Sequence, residues 1–175
     1  MNILVTGGLG LIGHNVVKRL QAQGHIVSIV DTKTNYGIIP QDQLDHLIAE
    51  RSKGLDLSGL YIKDISDVNE MDYVFNIEQP EIVIHLASFP RQKVVNANPA
   101  QGSRVMSEGL INLLEMSDRY EVRKFVYTSS SMVYGDFKDD VKEDAICRPQ
   151  GQYGILKLAG EWLIKDYARR TGLAY

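Results

Sequence analysis

Tyr153 and Lys157 stand four residues apart near the end of the chain. In a helix that spacing puts both side chains on one face. A free tyrosine has a pKa of about 10 and is a poor base at neutral pH. One cation about 5 Å from the phenol favours the phenolate by roughly 3 kcal/mol at an effective dielectric of about 20, or about two pKa units. Two such cations would bring the phenol into working range as a general base. Ser130, inside the run Ser129-Ser130-Ser131, could hydrogen-bond the same reacting oxygen. A surface helix beside a serine-rich loop gives the same pattern, so the pair alone carries little weight. It needs elements that hold it beside a second cation.

Those elements begin at the amino terminus. Ile3, Leu4 and Val5 form an apolar run without polar alternation, which suits a strand buried on both faces. The run breaks into Gly7-Gly-Leu-Gly-Leu-Ile-Gly13, and Val16, Val17 and Leu20 then recur at helical spacing up to Gly24. Strand, glycine turn and helix make the first half of a βαβ unit that binds a dinucleotide. Gly7 permits the tight turn, Gly10 lets the backbone approach a pyrophosphate, and Gly13 lets the helix sit close to the strand. The helix N-terminus then points N–H groups at the phosphates. Asp31 follows at the end of the next apolar run. A carboxylate there accepts hydrogen bonds from an adenosine ribose and repels a 2′-phosphate, which favours NAD over NADP. A solvated strand-end Asp is the plainer alternative, and Lys33 places a cation nearby. Asp64 could bond the adenine amino group, though an ordinary turn Asp suits the local sequence nearly as well.

Further strands are expected at 25–30, 60–63, 82–87 and 124–128. Helices are expected around 44–48, at 67–78, from near Pro99 to about Met116, and from Tyr153 to about Arg170. The last of these would carry Trp162 and Leu163 on its apolar side. The stretch 136–151 is acidic and loop-like. Strands alternating with helices give an α/β fold, a doubly wound parallel sheet of Rossmann type. Ligands bind such sheets at the carboxyl ends of the strands. The glycine turn, Asp31, Asp64, Ala87-Ser88 and Ser129 to Ser131 all fall there.

The 175 residues are 44% hydrophobic and 23% charged, as in one globular domain with a sizeable core. A net charge of −3 implies no broad attraction to nucleic acid or an anionic membrane. Cys147 is the single cysteine, so internal disulfides and multi-cysteine zinc sites are excluded and no metal is expected. We read no signal peptide and no bilayer-spanning run, and expect a cytoplasmic protein.

Taken together, Thr6 to Gly13, Asp31, Asp64-Ile65, His85-Leu-Ala87, Tyr127-Thr-Ser-Ser-Ser-Met-Val-Tyr-Gly135 and Tyr153-Gly-Ile-Leu-Lys157 form a specific set. The sequence resembles the extended short-chain dehydrogenase/reductases, nearest the UDP-glucose 4-epimerase-like nucleotide-sugar enzymes. The resemblance implies that Ser130 and Tyr153 are catalytic. Lys157 becomes the electrostatic partner of Tyr153 and a ligand of the cofactor ribose. Gly7, Gly10, Leu11, Ile12, Gly13, Asp31, Asp64, Ile65, Leu86, Ala87 and Ser88 fall where that family lines NAD. His85 reads as a satisfied core histidine, and His14 as surface decoration on the first helix.

Three departures from the family pattern stand out. Met106, ahead of Ser107-Glu-Gly109, occupies a position where many relatives carry Asn. Ser131 and Met132 replace the Asp-Glu pair of the nucleotide-sugar 4,6-dehydratases, and a thioether cannot shuttle protons. The chain also ends at residues 172–175, where the sixth strand should begin. Residues 1–175 are therefore expected to be an NAD-binding Rossmann domain truncated before that strand, with the C-terminal substrate domain missing.

The implied activity is transient C4 oxidation and re-reduction of a nucleotide sugar. An NAD-dependent sugar or alcohol dehydrogenase and a non-catalytic NAD-binding module are the alternatives. NAD binding with little or no turnover is expected of this chain. The helices at 98–116 and 153–170 carry apolar residues beyond one narrow stripe, and the resemblance implies that such helices pair across a two-fold homodimer. Coverage of both faces within one complete monomer is the other explanation.

Overall fold

In the computed structural model, which describes residues 1–136 and 141–175, the first apolar run becomes β1 (Asn2–Thr6). Ile3, Leu4 and Val5 are buried on both faces of the sheet. Strands β2 (Ile26–Asp31), β3 (Leu60–Ile62), β4 (Ile82–His85) and β5 (Lys124–Tyr127) join it in parallel, in the order β3-β2-β1-β4-β5. One face packs Leu4, Val83 and Phe125 against apolar side chains of the helices α3 (Val68–Glu78), α6 (Gly109–Arg119) and α7 (Gly151–Thr171). The other packs Ile3, Val5 and Ile29 against Val17 of α1 (Gly13–Ala22), with Ile48 of α2 (Gln41–Ser52) at its margin. The expected doubly wound architecture is thus present.

The register puts Thr6 opposite His85, and His85 opposite Tyr127. These three residues form one row at the carboxyl ends of the central strands, directly under the serine run. Beside them, α3 fixes the loop after β3. Asp67 caps that helix by accepting the N–H groups of Asn69 and Glu70, and Glu70 reaches back to accept the Asp64 N–H at 2.8 Å. The α3 helix stops at Gln79, in a left-handed conformation just before Pro80.

Several expectations need correction. β4 ends at His85 rather than 87, because Ala87 N–H leaves the ladder to bond the Thr6 hydroxyl. A short helix α4 (Gln92–Ala97) occupies a stretch for which no element was expected, and buries Val94 and Val95 against Phe89 and Met106. Six residues are too few to show a helical period, and Pro99 ends the segment's chances of continuing. Pro99 does open a helix, α5 (Pro99–Ser103), which runs through a π-helical turn (Arg104–Glu108) into α6. Ser131–Tyr134 forms a 3₁₀ turn. Trp162 is 64% exposed and does not lie on the buried side of α7. It is two positions from the buried Ile164, about 200° around the helix. Leu163 does pack on the core. Of the acidic stretch, residues 137–140 lie outside the described residues. No helix among the described residues is long and apolar enough to cross a membrane.

Candidate active site

The glycine turn is held by its own backbone. Gly7 has a φ of +71°, and the Gly10 N–H donates to its carbonyl at 3.1 Å. A Cβ at Gly13 would stand 2.1 Å from the same oxygen, so only glycine lets α1 start this close to β1. Among the described residues the N–H groups of Leu11, Ile12 and Gly13 find no acceptor. They are the free donors of a helix N-terminus, and a pyrophosphate fits them. His14 is more than decoration: its Nδ1 donates to the Gly10 carbonyl at 2.8 Å and braces the turn.

Asp31 closes this end. Its Oδ2 accepts the Leu9 N–H at 3.0 Å and its Oδ1 accepts the Lys33 N–H at 2.8 Å. Each oxygen keeps a further lone pair for a ribose hydroxyl. Asp64 accepts both the N–H and the hydroxyl of Ser66, at 2.9 and 2.8 Å, and so braces its own turn as well as lining the cleft.

A cavity of about 610 Å³ runs from this turn to α7. Every residue expected to touch the cofactor lines it, from Gly7 and Asp31 to Ala87, Tyr153 and Lys157. Leu11 and Ile12 are exposed at its rim, and Ile65 is buried at its floor. Ser130 is not among the lining residues. Its oxygen caps the 3₁₀ turn by accepting the Met132 N–H at 3.2 Å. Thr128 and Ser129 line the wall there instead, and the Ser129 hydroxyl donates to Glu161.

Lys157 is only 5% exposed. Its ammonium donates to the Thr128 carbonyl at 2.8 Å and lies 5.9 Å from the centre of the Tyr153 ring. Burial pushes its pKa down to about 8, which leaves it charged at neutral pH. The spacing of four thus sets the Lys157 ammonium near the Tyr153 ring. His85 is buried and bonded to Thr6 at 2.7 Å. Burial, and then the charge of Lys157, push its pKa down to about 3.

A family model described as the NAD dependent epimerase/dehydratase family matches residues 3–175. The chain belongs to that family. A putative UDP-glucose 4-epimerase of Methanocaldococcus jannaschii is 32% identical over 99% of this chain and 53% of its own length. The Thermus thermophilus UDP-glucose 4-epimerase, solved in complex with NAD, superposes with a TM-score of 0.83 at 29% identity. That match covers 99% of this chain and 52% of the other. The Thermotoga maritima UDP-glucose 4-epimerase, solved with UDP-glucose, gives a TM-score of 0.83 at 32% identity, covering 99% and 53%. The chain thus spans about half the length of these relatives.

Within this family setting, two features of the cleft escaped the sequence reading. Tyr36, from the loop after β2, crosses the cavity and packs on Phe89 with ring centroids 4.7 Å apart. Burial, with the carboxylates of Asp31 and Asp64, pushes its phenol up to about 12. An aromatic residue following Thr32-Lys-Thr-Asn35 was the only signal. Arg51 donates to the Leu9 carbonyl at 3.4 Å and adds a cation at the Asp31 end. Met106 is buried with Phe89, Val94 and Val95 at the centre of the π turn. This departure from the family pattern is thus an apolar packing site.

Proposed function

We propose that the chain binds NAD and forms the cofactor-holding part of an epimerase acting on a nucleotide-linked sugar. The supporting observation is convergence. The glycine turn, Asp31, Tyr153 and Lys157 all line one cavity, and its free N–H donors suit a pyrophosphate. Bound NAD supplies a reversible hydride acceptor. Tyr153 takes the proton of the sugar C4 hydroxyl as hydride leaves the same carbon, and returns it when hydride comes back on the other face. Lys157 holds the cofactor ribose and favours the phenolate. Among the described residues the Ser130 hydroxyl proton has no acceptor, and its oxygen accepts the Met132 N–H. That proton serves the reacting oxygen.

Residues 1–175 form, on this reading, the NAD-binding domain of a longer enzyme whose substrate pocket is completed elsewhere. NAD binding without efficient turnover is the expected behaviour of the chain alone. A homodimer belongs to the same proposal, on the exposed Ile155 and Trp162 of α7. So does a cytoplasmic role in carbohydrate metabolism, on the single cysteine and near-neutral charge. The position of Ser130 outside the cavity lining favours one other reading, a non-catalytic NAD-binding module.

Calorimetry with NAD, followed by an epimerase assay with UDP-sugars on the same chain, tests these readings. Absent NAD binding overturns both. Net accumulation of reduced nicotinamide during turnover would instead mark a dehydrogenase. Comparing Ser130→Ala with Ser129→Ala in a turnover-competent enzyme identifies the working serine. Scattering on the chain settles the dimer.

A further inference from the structure

Lys157 is a buried charge. Among the described residues, no carboxylate lies within ion-pairing distance of its ammonium. What lies beneath it is neutral. The Thr128 carbonyl accepts one proton, and the Tyr127 ring presents its face with the centroid 5.0 Å from Nζ. The other titratable groups facing this region are Tyr153 and Glu161 on α7 and His85 on β4. Glu161 is engaged by Ser129, and His85 is neutral.

The Tyr127 ring is itself held in place. His85 stacks on it, with centroids 5.8 Å apart and planes 25° from parallel. Its hydroxyl donates to the Lys157 carbonyl at 3.5 Å. A Cβ at Gly160 would stand 2.5 Å from the Tyr127 oxygen, so the helix is notched where that hydroxyl docks. Behind His85, the Thr6 bond ties the row to the strand that feeds the glycine turn.

We propose that Tyr127 is a positioning residue, its ring face carrying the Lys157 ammonium so that the charge stays uncancelled and directed at the cleft. A carboxylate in the same place would also keep Lys157 protonated, but its own charge would offset the field that Tyr153 needs. A carbonyl and a ring face solvate the cation through dipole and quadrupole and leave its full charge. The proposal rests on the reading of Lys157 as a cofactor ligand.

The experiment replaces Tyr127 by phenylalanine, as reference, and then by phenylalanines carrying one, two and three ring fluorines. Fluorine withdraws electron density from the ring face with little change of shape. NAD affinity of the full chain is measured by calorimetry from about pH 6 to about pH 10, where Lys157 loses its proton. The midpoint of the affinity loss should move to lower pH with each fluorine, by about one unit over the series. A midpoint that stays fixed overturns the proposal. So does a loss of affinity equal at every pH, which is what a purely structural role predicts.

Lys157→Met separates the two levels of the reading. If that variant binds NAD like the native chain at every pH, the Lys157 assignment itself has failed. If it loses affinity while fluorination moves nothing, only the ring seat has failed. Gly160→Ala displaces the ring from below and gives an independent variant. Its midpoint should shift in the same direction, and a native midpoint in a folded Gly160→Ala chain counts against the proposal.

Discussion

Thr6 and His85 share a 2.7 Å hydrogen bond across β1 and β4, buried beneath the cleft. The Thr6 oxygen also accepts the Ala87 N–H at 3.2 Å and so ties His85 to the loop after β4. Burial, and then the charge of Lys157, keep His85 neutral at physiological pH. The unfolded chain takes up a proton at this residue near pH 6.5, whereas the folded chain does so only near pH 3. Between those values the unfolded state binds more protons, so stability present above pH 6.5 is lost as the pH falls. The unfolding free energy should drop by about 2 kcal/mol between about pH 6.5 and about pH 5 from this group. His85→Phe should flatten that slope. Urea titrations at stepped pH measure both.

Lys157 has the opposite charge relation and the same kind of consequence. Burial lowers its pKa from 10.5 to about 8, so the fold tolerates the ammonium at a cost. That cost is fully present below pH 8 and fades as the pH rises toward 10.5, where the unfolded chain also loses the proton. Lys157→Met should raise the unfolding free energy at neutral pH by about 2 kcal/mol, discounted for the Thr128 carbonyl left without its donor. The gain should vanish in strong alkali, and NAD affinity should fall. A variant less stable than the native chain at pH 7 would contradict the account of Lys157 as a tolerated, functional charge.

The parts of the site set by backbone were legible in the sequence. The two-face apolar run of β1, the spacing of Gly7, Gly10 and Gly13, and the strand-end position of Asp31 depend on a few adjacent residues. The parts set by distant partners were not. Successive serines point to different sides, and only Glu161 of α7, remote in sequence, distinguishes the environment of Ser129 from that of Ser130. Tyr36 finds its function against Phe89, a residue on another loop. The π turn around Met106 depends on packing, with Met106 enclosed by side chains from α4 and the loop before it. Trp162 was misplaced because its apolar character says nothing about which face of a long helix is covered.

Gly13→Ala should be far more damaging than its size suggests. The new Cβ would meet the Gly7 carbonyl oxygen at 2.1 Å and the Gly8 Cα at 2.7 Å, both backbone atoms that cannot rotate away. The turn must open or α1 must shift. We expect a loss of about 3 kcal/mol of stability and at least about a tenfold loss of NAD affinity. Gly24→Ala is the comparison, since that site has a φ of +80° but no atom within 4 Å of the added carbon. It should cost about 1 kcal/mol from backbone strain alone and leave NAD binding intact. Thermal melts and calorimetry on both variants separate steric from conformational effects.

Asp31 should decide between the two dinucleotides. Its carboxylate is oriented before any ligand arrives, by the N–H groups of Leu9 and Lys33. Lys33 and Arg51 line the same end of the cavity and would welcome a phosphate if the carboxylate were neutral. A unit charge about 5 Å from another contributes roughly 3 kcal/mol at an effective dielectric of about 20. Asp31→Asn should therefore weaken NAD binding by about tenfold and reduce the preference for NAD over NADP by about a hundredfold. The NADP affinity gained should fall with added salt more steeply than the NAD affinity, because it adds charge contacts to the exposed Lys33 and the half-buried Arg51. Calorimetry with both dinucleotides at two ionic strengths measures this, and an unchanged preference would assign the discrimination to some group other than Asp31.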